Sequence, residues 1–148
     1  MSTDKVQAKH KDSGDDQPAL TRPFSPTKPP LSYEELRDVI DLALWAGQML
    51  LQHGAESQRV EETVHRLGTG LGCNWMDILV SPNAIIVTTT SGSDFRTKTR
   101  RVVRLGADLW RITAVNDLSR RVNEGELDRF LVRRELERID ATRPRYHR

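Results

Sequence analysis

The sequence predicts an α+β fold: two helices, a three-stranded antiparallel sheet and two further helices. Two observations carry this prediction. Apolar residues recur at intervals of three and four in the stretches 32–71 and 107–139, which is typical of helices with a buried face. Between them, three short segments rich in β-branched residues are separated by turns, and such short connections favour antiparallel pairing. The length of 148 residues fits one such domain with tails.

Both ends of the chain are predicted to lie outside this domain. Five of the seven prolines fall within residues 1–31, where apolar side chains are few, and this composition favours a disordered tail. Residues 143–148 contain three arginines and no acidic residue. The folded domain is therefore expected at residues 32–142. The formal net charge of only +2 does not indicate a nucleic-acid-binding surface over the whole chain, so nucleic acid is not an expected partner.

The first helix is predicted to begin after Ser32, because Ser32 and Glu35 have the spacing of a capping box. Its apolar residues cover more than one face, so the helix needs burial on more than one side. Two interpretations stay open. The helix is either the centre of the core or reserves Leu42, Trp45 and Met49 for a partner or an adjoining domain.

The remaining elements follow from periodicity and turn residues. Gly54 is placed to end the first helix in a left-handed conformation, and a second helix is predicted over about 56–69. Strands are predicted at 74–80, 84–90 and 95–104. Two helices are predicted to close the chain, over about 107–122 and from about 126 onward. Their inward-facing residues are expected to be Leu109, Ile112, Val115, Leu118 and Val122, then Leu127, Phe130, Leu131, Leu136 and Ile139.

The predicted third strand has an unusual row of basic residues. Alternate residues of a strand share a face, so Arg96, Lys98 and Arg100 are expected to lie together, with Arg104 continuing the row. Such a row could bind phosphate, nucleic acid or anionic lipid headgroups. It could equally protect the edge of a sheet from pairing with another chain. Aromatic residues do not alternate with it, which argues against a platform for single-stranded nucleic acid.

Little in the sequence indicates catalysis, a metal or a cofactor. The single cysteine, Cys73, excludes an intrachain disulfide and a multi-cysteine zinc site. Glu62 and His65 form one Glu-x-x-His unit, but a di-metal bundle needs a second one. A hydrolase that uses Glu56, Glu61 and His65 is a weaker hypothesis. The longest apolar stretch, at 42–51, is too short to cross a bilayer, so the chain is expected to be soluble.

Several stretches, taken in order, resemble a known family. They are residues 43–47, the strings Gly54-Ala55-Glu56 and Arg59-Val60-Glu61, the turn at Pro82 with the strand after it, the basic strand and the helix around Asn116. Together they resemble the N-terminal cytoplasmic domain of the threonine/serine exporter family of bacterial membrane proteins, over about residues 36–142. We refer to eight of these positions as the family-motif residues: Gly54, Ala55, Glu56, Arg59, Val60, Glu61, Pro82 and Asn116.

The resemblance implies a domain that precedes a bundle of membrane helices in an exporter driven by the proton motive force. Related two-component members are associated with the export of a dicarboxylate. It implies a membrane-helix domain of the same or a partner chain as partner, a homo-oligomer as a further option, and a place at the cytoplasmic face of the bacterial cell membrane. The family-motif residues would have a structural, positioning role rather than a catalytic one.

Two functional hypotheses follow. In the first, this chain is an excised or naturally truncated cytoplasmic domain with a regulatory or assembly role, and it transports nothing alone because it lacks a spanning segment. In the second, it is a freestanding module that binds an anion or nucleic acid through Arg96, Lys98, Arg100 and Arg104.

Overall fold

The computed structural model describes residues 28–142, which form the predicted α+β arrangement. The order of elements is helix, helix, three strands, helix, helix. Their bounds are α1 Tyr33–Gln52, α2 Ser57–Gly70, β1 Trp75–Ser81, β2 Ala84–Ser91, β3 Asp94–Arg101, α3 Leu109–Asn123 and α4 Arg129–Ala141.

The start and end of α1 follow from local sequence signals. The Glu35 backbone N–H donates to the Ser32 hydroxyl at 3.1 Å, and the Ser32 N–H donates to the Glu35 carboxylate at 3.1 Å. This reciprocal pair is the predicted capping box, which satisfies two amides that the first turn leaves without a helical partner. At the other end Gly54 has a φ of 89°, the left-handed conformation that ends a helix at low cost in glycine.

Helix α1 is the centre of the core, as one of the two interpretations of its apolar faces predicts. It contacts the other three helices and strands β2 and β3. Its buried side chains lie on several faces, which agrees with contact on several sides. Gly47 allows α1 to lie close to α2 and β2. A Cβ there would lie 2.8 Å from Val64 of α2 and 3.3 Å from Ile85 of β2, so a larger residue would push these elements apart.

The three strands form one antiparallel sheet in the order β1-β2-β3. Ile85 and Val87 of β2 are buried on the inner face, opposite Arg100 and Lys98 of β3. Strand β3 is an edge strand and ends at Arg101. The prediction that it extends to residue 104 is therefore wrong. The Val102 N–H still donates to the Asn83 carbonyl in the β1–β2 turn, at 2.8 Å, so the pairing with the β2 side of the sheet stops there.

Three residues predicted to face inward are instead exposed: Leu109, Phe130 and Leu131. Helices α3 and α4 begin later than predicted, because Asp108 and Asp128 cap them by accepting a backbone N–H three residues on. The three exposed residues thus occupy first turns. The buried residues of α4 are Val132, Leu136 and Ile139, at spacings of four and three. Phe130 and Leu131 do not share that stripe.

The residues just before the predicted start of the domain make contacts with it. Residues 1–27 and 143–148, predicted to be a disordered tail and a basic end, lie outside the described residues. Residues 28–31, placed in the tail by composition, contact the domain. The Lys28 ammonium donates to the carbonyls of Thr69 and Cys73, at 2.9 and 3.0 Å, and the Leu31 N–H donates to the Ser91 hydroxyl. These contacts attach residues 28–31 to the end of α2 and to the end of β2.

Candidate functional site

The basic row of β3 contacts α1, although its side chains remain partly exposed to solvent. The guanidinium of Arg96 lies 3.8 Å from the centre of the Tyr33 ring, a cation–π contact. Lys98 forms an ion pair with Asp41, and Arg100 donates to the Gln48 side chain at 3.3 Å. All three basic residues therefore have partners on α1.

This seam between β3 and α1 changes the interpretation of the basic row. The structure brings Arg96, Lys98 and Arg100 together on one face, as predicted, and uses them to attach an edge strand to the central helix. Arg104 is separated from them because it lies beyond the strand, where it is exposed. An anion-binding row of four residues is therefore not assembled. The contacts favour a structural role for the three that share the face.

The family-motif residues begin at the turn between α1 and α2. The N–H groups of Gly54 and Ala55 donate to the carbonyls of Leu51 and Leu50, which fixes the turn against the end of α1. Ala55 is buried, and Val60 is fully buried on the core face of α2. This part of the motif therefore sets the angle between the first two helices.

The charged family-motif residues have the opposite environment. Glu56, Arg59 and Glu61 are exposed at the start of α2. Glu56 occupies the cap position but makes no capping hydrogen bond through its side chain. The side chains of these three residues form no hydrogen bond or ion pair with the side chains or backbone of residues 28–142. Folding of the described part of the chain does not account for their charge, so they form a surface available to a partner.

The last two family-motif residues lie elsewhere. Pro82 is exposed in the turn between β1 and β2. Asn116 is half-buried on α3, where its carbonyl accepts a hydrogen bond from the Ser119 hydroxyl at 2.7 Å. The same hydroxyl accepts from Arg66 of α2 at 3.2 Å. The Asn116 region thus helps to join α2 to α3.

A cleft of about 240 Å³ lies between α2 and β1, lined among others by Glu61, His65, Trp75 and Asp77. The His65 Nδ1–H donates to the Met76 carbonyl at 2.8 Å, and the imidazole meets the Trp75 ring edge-on at 4.6 Å. The lining also includes Glu62, Met76 and Ile78 but no hydroxyl or thiol.

The cleft bears on the hydrolase hypothesis. It brings Glu61 and His65 together but not Glu56, and its lining supplies no serine, threonine or cysteine nucleophile. Among the described residues no group of three or more histidine, cysteine or acidic side chains is arranged to hold a metal ion. The geometry therefore gives the hydrolase hypothesis no support.

The residues predicted to face a partner are mostly inside the core. Leu42 and Met49 are buried against other elements of the same chain, and Trp45 is half-buried against that core. The prediction that they form an exposed partner surface is wrong for Leu42 and Met49, because α2, α3, α4 and the sheet surround α1. Only part of Trp45 remains accessible.

Sequence analysis missed two sets of charged contacts that connect α4 to α1 and to α3. Asp38 of α1 pairs with Arg129 at 2.9 Å and with Arg133, both of α4. Arg111 of α3 contacts Asp108 and three carbonyls at the end of α4. The spacing of Arg129 and Arg133 by four residues was a signal of a shared helix face. No local signal points to Arg111.

Within residues 28–142, no helix combines the length and the apolar character needed to cross a bilayer. Comparison with known proteins finds three relatives, of which two share a name. The chain is 38% identical over 85 residues to the probable succinate transporter subunit YjjP of Escherichia coli, covering 57% of this chain and 33% of that protein. It is 38% identical over 84 residues to the protein of the same name from Klebsiella aerogenes, with the same coverage.

A third relative is an uncharacterized protein of Haemophilus influenzae, 28% identical over 109 residues, which cover 74% of this chain and 37% of that protein. The chain spans about a third of the length of these relatives. No solved structure matches it. The threonine/serine exporter family matches residues 41–148, which is most of the chain. This chain therefore belongs to the threonine/serine exporter family.

Proposed function

We propose that this chain is the cytoplasmic part of a threonine/serine exporter-family transporter, where it has a regulatory or assembly role and moves no substrate by itself. The family match over residues 41–148 carries the proposal. Two relatives that are named as transporter subunits support it. A subunit needs another subunit, so the proposed partner is a bundle of membrane helices in the same or a second chain.

The charged family-motif residues are the proposed contact with that partner. Glu56, Arg59 and Glu61 lie exposed on a helix whose other face is buried, so their positions are set while their charges are unused within residues 28–142. Partly desolvated charges at an interface select a partner by matching opposite charges. A contact of this kind would connect the domain to the transporter without a catalytic step.

The test replaces these charges in the encoding gene of the native organism. The triple variant Glu56→Gln, Arg59→Gln, Glu61→Gln should lower the efflux of threonine, serine or succinate from preloaded cells. The matched control changes Glu124, Arg134 and Glu137 to Gln, which removes the same charges from other exposed positions. Thermal unfolding of the two purified variants should be alike, since neither set is buried.

Two results would refute the proposal. One is normal efflux of all three substrates after deletion of the gene. The other is recovery of the chain without any membrane-helix partner after cross-linking in intact cells. If the control lowered efflux as much as the motif variant, the proposed contact surface would be wrong even though the transporter role survived.

A further inference from the structure

Four large apolar side chains are exposed within eight residues, from the segment after β3 to the first turn of α3. Val103, Leu105, Leu109 and Trp110 are between 44% and 69% exposed. We call residues 103–110 the connector surface. Single exposed apolar residues are ordinary, but a dense group on a highly charged protein marks an interaction site.

The connector is held firmly to the end of α1. The N–H of Leu105 donates to the Gln52 carbonyl at 2.9 Å, and the N–H of Asp108 donates to the His53 carbonyl at 3.2 Å. The His53 Nδ1–H donates in turn to the Gly106 carbonyl at 3.0 Å. These bonds direct the backbone polar groups inward, so the apolar side chains are presented on a fixed backbone and lose little entropy on binding.

Two exposed arginines belong to this part of the chain. Arg104 lies within the connector surface and Arg101 lies two residues before it. The only acidic residue within 103–110 is Asp108, which is buried and paired with Arg111 at 3.0 Å. Its negative charge is therefore neutralised within the fold. An occupant of this surface would meet apolar side chains flanked by uncompensated guanidinium groups.

The end of α4 is held beside the start of α3. Arg111 donates to the Thr142 carbonyl at 2.6 Å and to the Asp140 carbonyl at 3.2 Å, which holds the end of α4 against the start of α3.

We propose that the connector surface docks on a bilayer that contains anionic lipid, with the apolar side chains entering the headgroup region. Aliphatic side chains and tryptophan favour the membrane interface, and each nearby arginine contributes about 1 kcal/mol of attraction to an anionic leaflet. A protein partner would satisfy the apolar side chains, but an anionic lipid also satisfies the guanidinium groups. This inference goes beyond the proposed function, since lipid binding needs no transport partner.

The experiment uses the whole chain and two kinds of vesicle, phosphatidylcholine alone and phosphatidylcholine with phosphatidylglycerol. Co-sedimentation should show binding to the anionic vesicles, and binding should weaken as salt rises. The pair Leu105→Ser, Leu109→Ser should reduce the association constant by about tenfold, equal to about 1.4 kcal/mol. The matched control is Leu79→Ser, Phe95→Ser, because these residues are equally exposed on the strands.

A separate variant tests the charge. Arg104→Glu should weaken binding to anionic vesicles and leave the weak binding to phosphatidylcholine unchanged. Failure of the unmodified chain to bind anionic vesicles at low salt would overturn the inference. An equal loss of vesicle binding in the Leu105→Ser, Leu109→Ser variant and in its control, Leu79→Ser, Phe95→Ser, would also overturn it. A dimer that dissociates in the Leu105→Ser, Leu109→Ser variant, without vesicle binding, would assign the surface to a second copy and also overturn it. None of these outcomes depends on efflux.

Discussion

Replacement of Arg111 by alanine should destabilise the fold far more than removal of any exposed arginine. The guanidinium donates to the Asp108 carboxylate at 3.0 Å and to the carbonyls of Ile139, Asp140 and Thr142 at 2.6 to 3.4 Å. One side chain thus neutralises a buried acid and holds the last turn of α4. Its removal leaves the acid buried without a counter-ion.

The magnitude follows from this burial. The side chains of Arg111 and Asp108 are only 12% and 6% exposed. Breaking a buried pair by removing one partner costs about 3–5 kcal/mol. Asp108 keeps its capping bond to the Arg111 backbone N–H, so the lower end, about 3 kcal/mol, is expected. Arg111→Lys should cost less, because it keeps the charge but loses the fork of donors.

Urea unfolding at neutral pH measures this difference. The control is Arg120→Ala on the same helix. Arg120 forms an ion pair with Asp117 at 3.8 Å, and the two side chains are 62% and 58% exposed. Exposed pairs contribute about 0–1 kcal/mol, so the control should unfold nearly like the unmodified chain. If the free energies of unfolding of Arg111→Ala and Arg120→Ala differed by less than about 1 kcal/mol at equal denaturant slope, the contacts of Arg111 with Asp108 and the end of α4 would not stabilise the fold.

Three further outcomes are expected. The pKa of the Glu35 carboxyl is lowered, first by the Ser32 N–H and then by the Ser32 hydroxyl. The ionised carboxylate therefore stabilises the fold at pH values above its pKa in the unfolded chain, and this stabilisation is lost as pH falls through its pKa in the folded chain. In NMR titration, Ser32→Ala should raise the pKa of Glu35 part of the way back to its ordinary value. Burial raises the pKa of the Cys73 thiol, so thiol reagents should label it at neutral pH only after unfolding, and rapid labelling of the folded chain would contradict this. Gly68→Ala should destabilise the fold by about 1–3 kcal/mol in thermal unfolding, although alanine has the better helix propensity, because the new Cβ would overlap the Met76 sulfur. An unchanged melting temperature would show that Met76 moves aside freely.

The order of the elements could be predicted because each depends on signals within a few residues. The Ser32 capping box and the Gly54 turn are local, and the β-branched run at 84–90 needs only its own composition. Errors arose where two local signals competed. Apolar Leu109 and Phe130 extended a hydrophobic pattern, but the aspartates before them set the true starts of α3 and α4.

The candidate site was predicted unevenly for the same reason. That Arg96, Lys98 and Arg100 share a face follows from strand geometry alone. That this face meets Tyr33, Asp41 and Gln48 does not, because those residues lie more than fifty positions away along the chain. A charged row on an isolated strand is equally suited to an anion or to an acidic helix.

The sequence by itself determined the element order, the two ends of the central helix and the family resemblance, since these depend on residues that are neighbours along the chain. Only the tertiary structure decided which charges are used within the fold and which remain available. Burial and ion pairing depend on what another part of the chain places opposite each residue. Thus Lys98 meets Asp41 and Arg111 meets the end of α4, whereas Glu56 and Arg59 are left to the surface.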